Sequence, residues 1–192
     1  MNPLNTVKGA ITTGVILAIL VTLAIGDHAG FFALGLARWV HILAGVMWIG
    51  LLYYFNVVQI PGLAVANADK GGPGGAGVNK YIAPRALLWF RWAAVATWLS
   101  GAWYLGGNFM SAFTFAPSHR IIGVGAWLGT IMLFNVWVLI WPNQKKVLGI
   151  VDATDEEKAK ARRVAMLASR TNFMLSIPML LCMGGASHGL PF

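Results

Sequence analysis

Acidic side chains are nearly missing from this sequence: there are six Asp and Glu in 192 residues, against fourteen Lys and Arg, and charged residues make up only 10% of the whole. The six are Asp27, Asp69, Asp152, Asp155, Glu156 and Glu157. All fall in polar connecting stretches, which excludes a buried carboxylate pair for general acid and base work. Cysteine is scarcer still. Cys182 stands alone in an apolar segment, so no internal disulfide and no paired-cysteine metal site can form. Internal repeats are absent, and the one low-complexity stretch is the Gly-rich run from Asp69 to Asn79. What fills the chain instead is apolar: 58% hydrophobic residues and a mean hydropathy of +0.69. That composition belongs to an integral membrane protein rather than a soluble domain.

A helix needs about 20 apolar residues to cross a bilayer, and five stretches approach that length. The expected fold is therefore all-α, a polytopic transmembrane bundle of about five spans at roughly 10–26, 33–60, 85–106, 119–141 and 171–187. The whole chain, 1–192, reads as one membrane domain. The first stretch follows Lys8 and lacks a convincing small-x-small cleavage site, so it reads as a retained anchor. Pro178 predicts a kinked or partial last span. Between the fourth and fifth spans, 152–170 reads as a short amphipathic surface helix, with Thr154 as a cap, acids in its first turn and Lys158, Lys160, Arg162 and Arg163 after them.

The net charge of +8 does not call for nucleic acid, because the basic residues flank apolar segments, where loop Lys and Arg set topology. With the N-terminus cytoplasmic, inner loops hold twelve of them (Lys8, Lys70, Lys80, Arg85, Arg91, Lys145, Lys146, Lys158, Lys160, Arg162, Arg163 and Arg170) and only Arg38 and Arg120 lie outside. The expected orientation is N-terminus inside, C-terminus periplasmic. His28, His41, His119 and His188 then share the outer side.

An ionisable side chain within an apolar span needs a partner such as a metal, a cofactor or a proton path. His41, in Arg38-Trp39-Val40-His41-Ile42-Leu43-Ala44-Gly45, is the clearest case. His41, His119 and His188 each have a glycine four residues deeper in the membrane, Gly45, Gly123 and Gly184. Residues four apart share a helix face, so each imidazole would sit above a gap suited to a flat macrocycle. A b-type haem between helices needs one or two neutral imidazoles, apolar walls and cations for its propionates. The expected site is His41 and His188 on iron with His119 as the alternative ligand, Arg38 and Arg120 as the cations, and Trp48 as a wall. Ordinary readings compete for every member. Glycines allow close helix packing, arginines snorkel to headgroups, and interfacial histidines bond carbonyls or water. Met179 and Met183, four apart, are read as core filling rather than copper ligands.

Several motifs run in order from the second span to the C-terminus: Arg38-Trp39-Val40-His41 with Ala44-Gly45 and Trp48-Ile49-Gly50, Thr97-Trp98-Leu99-Ser100-Gly101, Gly129-Thr130-Ile131-Met132 with Asn135, Pro142-Asn143-Gln144-Lys145-Lys146, and Pro178 followed by Ser187-His188. Together they resemble the membrane domain of the bacterial membrane-bound urate oxidases that carry a cytochrome c domain. The resemblance implies a haem-associated helical bundle in the bacterial inner membrane, with His41 and His188 as ligand candidates and electrons passing to a c-type cytochrome or another membrane redox subunit. The 192 residues contain no Cys-x-x-Cys-His, so a covalently attached haem is not expected within them.

Three functions follow. A haem b electron relay, ligated by two histidines, is the first. The second is a catalytic, urate-oxidase-like haem with one histidine ligand and an open position. The third is a non-redox accessory subunit of a larger assembly, in which the histidines bind nothing. The lipid bilayer is a partner in all three, and homo- or hetero-oligomers are compatible with each. Metal transport would need ligands at several depths, which the one-sided histidines do not supply.

Overall fold

The computed structural model describes residues 2–26 and 33–191; His28 lies outside them. Among the described residues every regular element is helical, and the chain is an all-α membrane protein. It divides into two units, Met1–Ala33 and Leu34–Phe192. The first consists of α1 (Val7–Ile25), capped by Thr6, whose Oγ1 accepts the Gly9 amide at 3.0 Å. None of the residues of α1 is buried.

The second unit contains α2 (Ala33–Ala68), α3 (Ala83–Leu105), a short α4 (Phe109–Phe113), α5 (Pro117–Val147) and α6 (Asp155–His188). Among the described residues, α1, α2, α5 and α6 are long and apolar enough to cross a membrane. The other expected span, α3, has 23 residues, but Arg85, Arg91 and four tryptophans dilute its apolar content. Gly106, at φ 52°, ends it in a backbone conformation that a side chain would oppose.

Two spans run on past the point where the sequence reading ended them. Pro61 and Pro142 lack an N–H and crowd the carbonyl four residues back, which normally breaks a helix. Here each is preceded by a wider turn of π type, Tyr54–Gln59 in α2 and Asn135–Ile140 in α5. The amide of Ile60 bonds to the carbonyl of Phe55, and that of Trp141 to Val136, five residues back in both cases. The extra residue absorbs the proline and the helix continues. A third such segment, Val78–Ile82, precedes Pro84 at the start of α3.

The polar connector and the last span also join. Thr154 and Glu157 form a reciprocal capping box at 3.2 and 2.8 Å, and from there α6 runs for 34 residues without interruption through Pro178. At 1.5 Å per residue that is roughly 50 Å, well beyond the ~30 Å of hydrocarbon. Its charged first half therefore projects out of the membrane while the apolar half crosses it.

One face of α6 is small and polar. Ala161, Ala165, Ala168, Ser169, Asn172 and Ser176 are all buried, letting neighbouring helices approach closely, and the polar members bond across the gap. Asn172, fully buried, accepts from Asn135 Nδ2 at 2.8 Å and donates to the Met132 carbonyl at 2.9 Å. Asn56 Nδ2 donates to Ser169 Oγ at 2.9 Å, and the Ser176 and Tyr53 hydroxyls are hydrogen-bonded at 3.2 Å. Asn56 and Asn135 both sit in the π segments, so α6 is stitched to the irregular turns of α2 and α5. Around this ladder pack Trp48, Leu52, Phe90, Met132 and Val136.

Candidate cofactor cavity

A cavity of about 830 Å³ lies among α2, α3, α5 and α6, at the upper end of the range for cofactor and small-molecule sites. Its walls are chiefly apolar, with Ile42, Val46, Ile49, Leu105, Phe109 and Phe113 among them. Six of the residues singled out from the sequence line it: Arg38, His41, Gly45, Trp48, Gly184 and His188. Met179 and Met183 line it as well, and Met179 is also part of the packed core.

His41 is held by a single well-defined contact. Its Nδ1 is 2.8 Å from the backbone carbonyl of Thr97 on α3. A carbonyl only accepts, so Nδ1 must carry the proton. In the neutral ring Nε2 is then the free lone pair, the arrangement in which a histidine ligates a metal through one nitrogen while the other is anchored. The same carbonyl accepts from Ser100 Oγ at 3.1 Å. The ring also rests on Gly101, where an added Cβ would lie 2.9 Å from Cε1 and 3.0 Å from Nδ1. Gly101 is thus the seat of the imidazole.

The glycines divide by what fills them. A Cβ at Gly184, Gly50 or Gly129, all in the cavity lining, would meet nothing within 4 Å, and one at Gly45 would only touch Thr97 Cγ2 at 3.8 Å. The void is open at these points. Gly123 differs: the backbone carbonyl of Ala112 occupies the place of its side chain, with Phe115 Cδ1 at 3.2 Å from it. The α4–α5 turn packs into that notch, and Phe115 adopts φ 56° there, an uncommon conformation for a bulky residue. His119, Arg120 and Gly123 are not among the lining residues. His119 Nδ1 instead shares a hydrogen bond with Ser118 Oγ at 2.8 Å, and Trp127 donates to the Phe113 carbonyl at 3.0 Å.

Trp48 is 2% exposed and its indole N–H has no partner. A buried donor left unpaired is costly, and this one belongs to a side chain of the cavity wall. Among the described residues no group of three or more His, Cys, Asp or Glu comes together to hold a bare metal ion. A porphyrin makes a smaller demand on the protein, because the macrocycle supplies four nitrogens and leaves one or two axial positions for histidine. Thr97 and Gly101 escaped the sequence reading of the site. Both lie in the Thr97-Trp98-Leu99-Ser100-Gly101 motif, but a backbone carbonyl leaves no signature in a side-chain pattern.

The sequence model of the urate oxidase N-terminal family matches residues 106–192. Over that segment, a little under half of the chain, the sequence is similar to this urate-oxidase-related family. No curated protein and no solved structure matches the chain. The matched segment contributes α4, α5 and α6, and with them Phe109, Gly129, Gly184 and His188 of the cavity wall. His41, its Thr97 anchor and the Gly101 seat lie in the part of the chain before it.

Proposed function

We propose that this protein is a membrane haem b electron carrier that exchanges electrons with a c-type cytochrome or a partner redox complex. The observation that carries the reading is the tethered imidazole: His41, fixed by Thr97 as the Nδ1–H tautomer, presents a free ring nitrogen in an apolar cavity of about 830 Å³. His41 is the first ligand and His188, from α6 in the lining of the same cavity, the second. Arg38 supplies the cation for propionates. Arg120, outside the lining, has no part in this version of the site.

A haem held here would supply reversible one-electron chemistry at its iron. The chain's own part is to hold the imidazole at Nδ1, to keep water from the apolar walls, and to offer the Trp48 N–H as a donor. Two axial histidines would leave no position for substrate, which makes a relay rather than an oxidase. The distribution of Lys and Arg supports the part of this reading that turns the cavity's histidine end outward, which in a bacterial inner membrane would bring it within reach of a periplasmic cytochrome.

The test is an absorption spectrum of the purified protein, oxidised and reduced, repeated on His41→Ala and His188→Ala. The expected result is a b-type spectrum that both substitutions alter. Unchanged haem bands in both variants refute the ligand assignment. A spectrum that shifts with carbon monoxide selects a five-coordinate, catalytic haem, and a colourless protein that takes up no added haem selects the accessory-subunit reading.

A further inference from the structure

A second, separate concavity of about 430 Å³ runs between α3 and α5, formed by Val95 and Trp98 on one side and Leu133, Phe134, Trp137 and Val138 on the other. The two helices meet in antiparallel register. Trp98 Nε1 donates to Thr130 Oγ1 at 2.9 Å at one end. The Trp92 and Trp137 rings meet edge to face at 5.4 Å further along. At the other end the Arg91 guanidinium lies 3.7 Å from the centre of the Trp141 ring. Phe134 and Val138 are about half exposed, so the groove opens outward from the bundle. Its lining follows α5 from Thr130 to Val138 for roughly 12 Å, most of the ~15 Å depth of one leaflet, and Arg91 on α3 stands about one helical turn before Val95.

The apolar groove ends in unanswered positive charge. Lys145 Nζ stands 6.0 Å from the same Trp141 ring that Arg91 covers, so two cations converge on one indole. Among the described residues the one ion pair is Lys146 with Glu157 at 3.9 Å, which leaves neither Arg91 nor Lys145 with a carboxylate. Arg91 Nη1 and Trp137 Nε1 are both buried and both lack an acceptor. Like charges gathered together beside two unpaired donors are unfavourable unless an anion joins them. An alkyl chain fits the groove and an anionic oxygen fits its end.

We propose that the α3–α5 groove binds an anionic membrane phospholipid, with an acyl chain along Val95, Leu133 and Phe134 and the phosphate accepting from Arg91 Nη1 and Trp137 Nε1 beside the charge of Lys145. This reading does not depend on what occupies the histidine cavity. Titration of the purified protein in detergent, followed by native mass spectrometry, tests it with phosphatidylglycerol, with phosphatidylcholine of the same chains, and with inorganic phosphate alone. Phosphatidylglycerol is expected to bind at least tenfold tighter than phosphatidylcholine. Arg91→Gln should erase that preference, and Trp137→Phe, which keeps the ring and removes the N–H, should reduce it several-fold. Equal affinity for the two lipids overturns the proposal, as does an unchanged preference in either variant. Inorganic phosphate competing as well as the lipid does would assign the site to a free anion instead. Where Arg91→Gln fails to fold, Trp137→Phe decides alone.

Discussion

Gly101→Ala separates the fold of this protein from its site. Replacing glycine by alanine inside a helix is worth about 1 kcal/mol in propensity. Against that, the new methyl would stand 2.9 and 3.0 Å from two atoms of the His41 ring, where carbon contacts prefer about 3.5–4.0 Å. The ring must withdraw by roughly 0.5–1 Å, and the bond from Nδ1 to the Thr97 carbonyl, now 2.8 Å, is stretched or lost at a cost of about 1 kcal/mol. The two effects nearly cancel, so the midpoint of thermal unfolding should stay within about 3 °C of wild type. The site has no such compensation. Metal–ligand distances tolerate about 0.2 Å, and losing the partner that orients a ligating histidine costs about 10–100-fold in affinity. Haem titration of the purified protein should therefore show a loss of that size at near-constant stability. Gly62→Ala is the control, since a methyl there meets nothing within 4 Å and should leave haem uptake alone. In the cofactor-free protein, the ¹⁵N signals of the His41 ring should report the Nδ1–H tautomer, and Gly101→Ala should shift them toward an unbiased mixture. Full haem affinity in the variant, with the ring signals unmoved, would refute the reasoning.

Four further outcomes follow from the same geometry. Gly184→Phe places a ring where a Cβ meets nothing within 4 Å, so folding by circular dichroism should be retained while haem uptake is abolished. Asn172→Ala removes the acceptor of Asn135 Nδ2 and the interhelical donor to the Met132 carbonyl; at about 0.6–1.7 kcal/mol per interhelical bond in membranes, chemical denaturation should register a loss of about 1–3 kcal/mol. Thr154→Ala removes the cap of α6 and should cost about 1 kcal/mol, seen as fraying of the first turn by hydrogen exchange. Backbone and side-chain hydrogen bonds to Thr154, together with the Lys146 charge, hold the Glu157 carboxyl below its ordinary range. Its contribution is therefore complete above the ordinary carboxylate pKa and disappears as pH falls through the lowered one, so protection of the amides in residues 154–158, taken relative to their intrinsic exchange rates, should fall on acidification in the wild type and fall less in Glu157→Gln.

The spans and the His41 face were legible because apolar length and a four-residue spacing survive any tertiary arrangement. Membrane length alone places α1, α2, α5 and α6, and the His41, Gly45, Trp48 pattern falls on one cavity wall. His119 and Gly123 show where spacing stops being informative. They repeat the His41–Gly45 interval, yet the notch at Gly123 is filled by the Ala112 backbone, and no count along α5 can reveal what another segment inserts. Apolar length ended α2 at 60 and α5 at 141, whereas both helices continue past Pro61 and Pro142 on i−5 bonds; those bonds go with packing partners such as Asn172 and Ser169. The kinked or partial last span was expected from Pro178; the helix continues past it to His188, with Ser176 bonded back to the Phe173 carbonyl at 2.7 Å. Thr97 and Gly101, which matter most to the imidazole, act through a carbonyl and a missing methyl.

The inserted residue in each wide turn has a reach beyond its own six positions. One added residue rotates everything downstream by about 100°, so α2 past Gln59 and α5 past Ile140 are out of phase with their own first halves. A helical wheel drawn through either whole helix would send lipid-facing positions to the interior and the reverse. Substitution tolerance scanned along α2 or α5 should accordingly obey two frames that switch at the slip, and an insertion or deletion of one residue there should be absorbed more readily than anywhere else in the same helix.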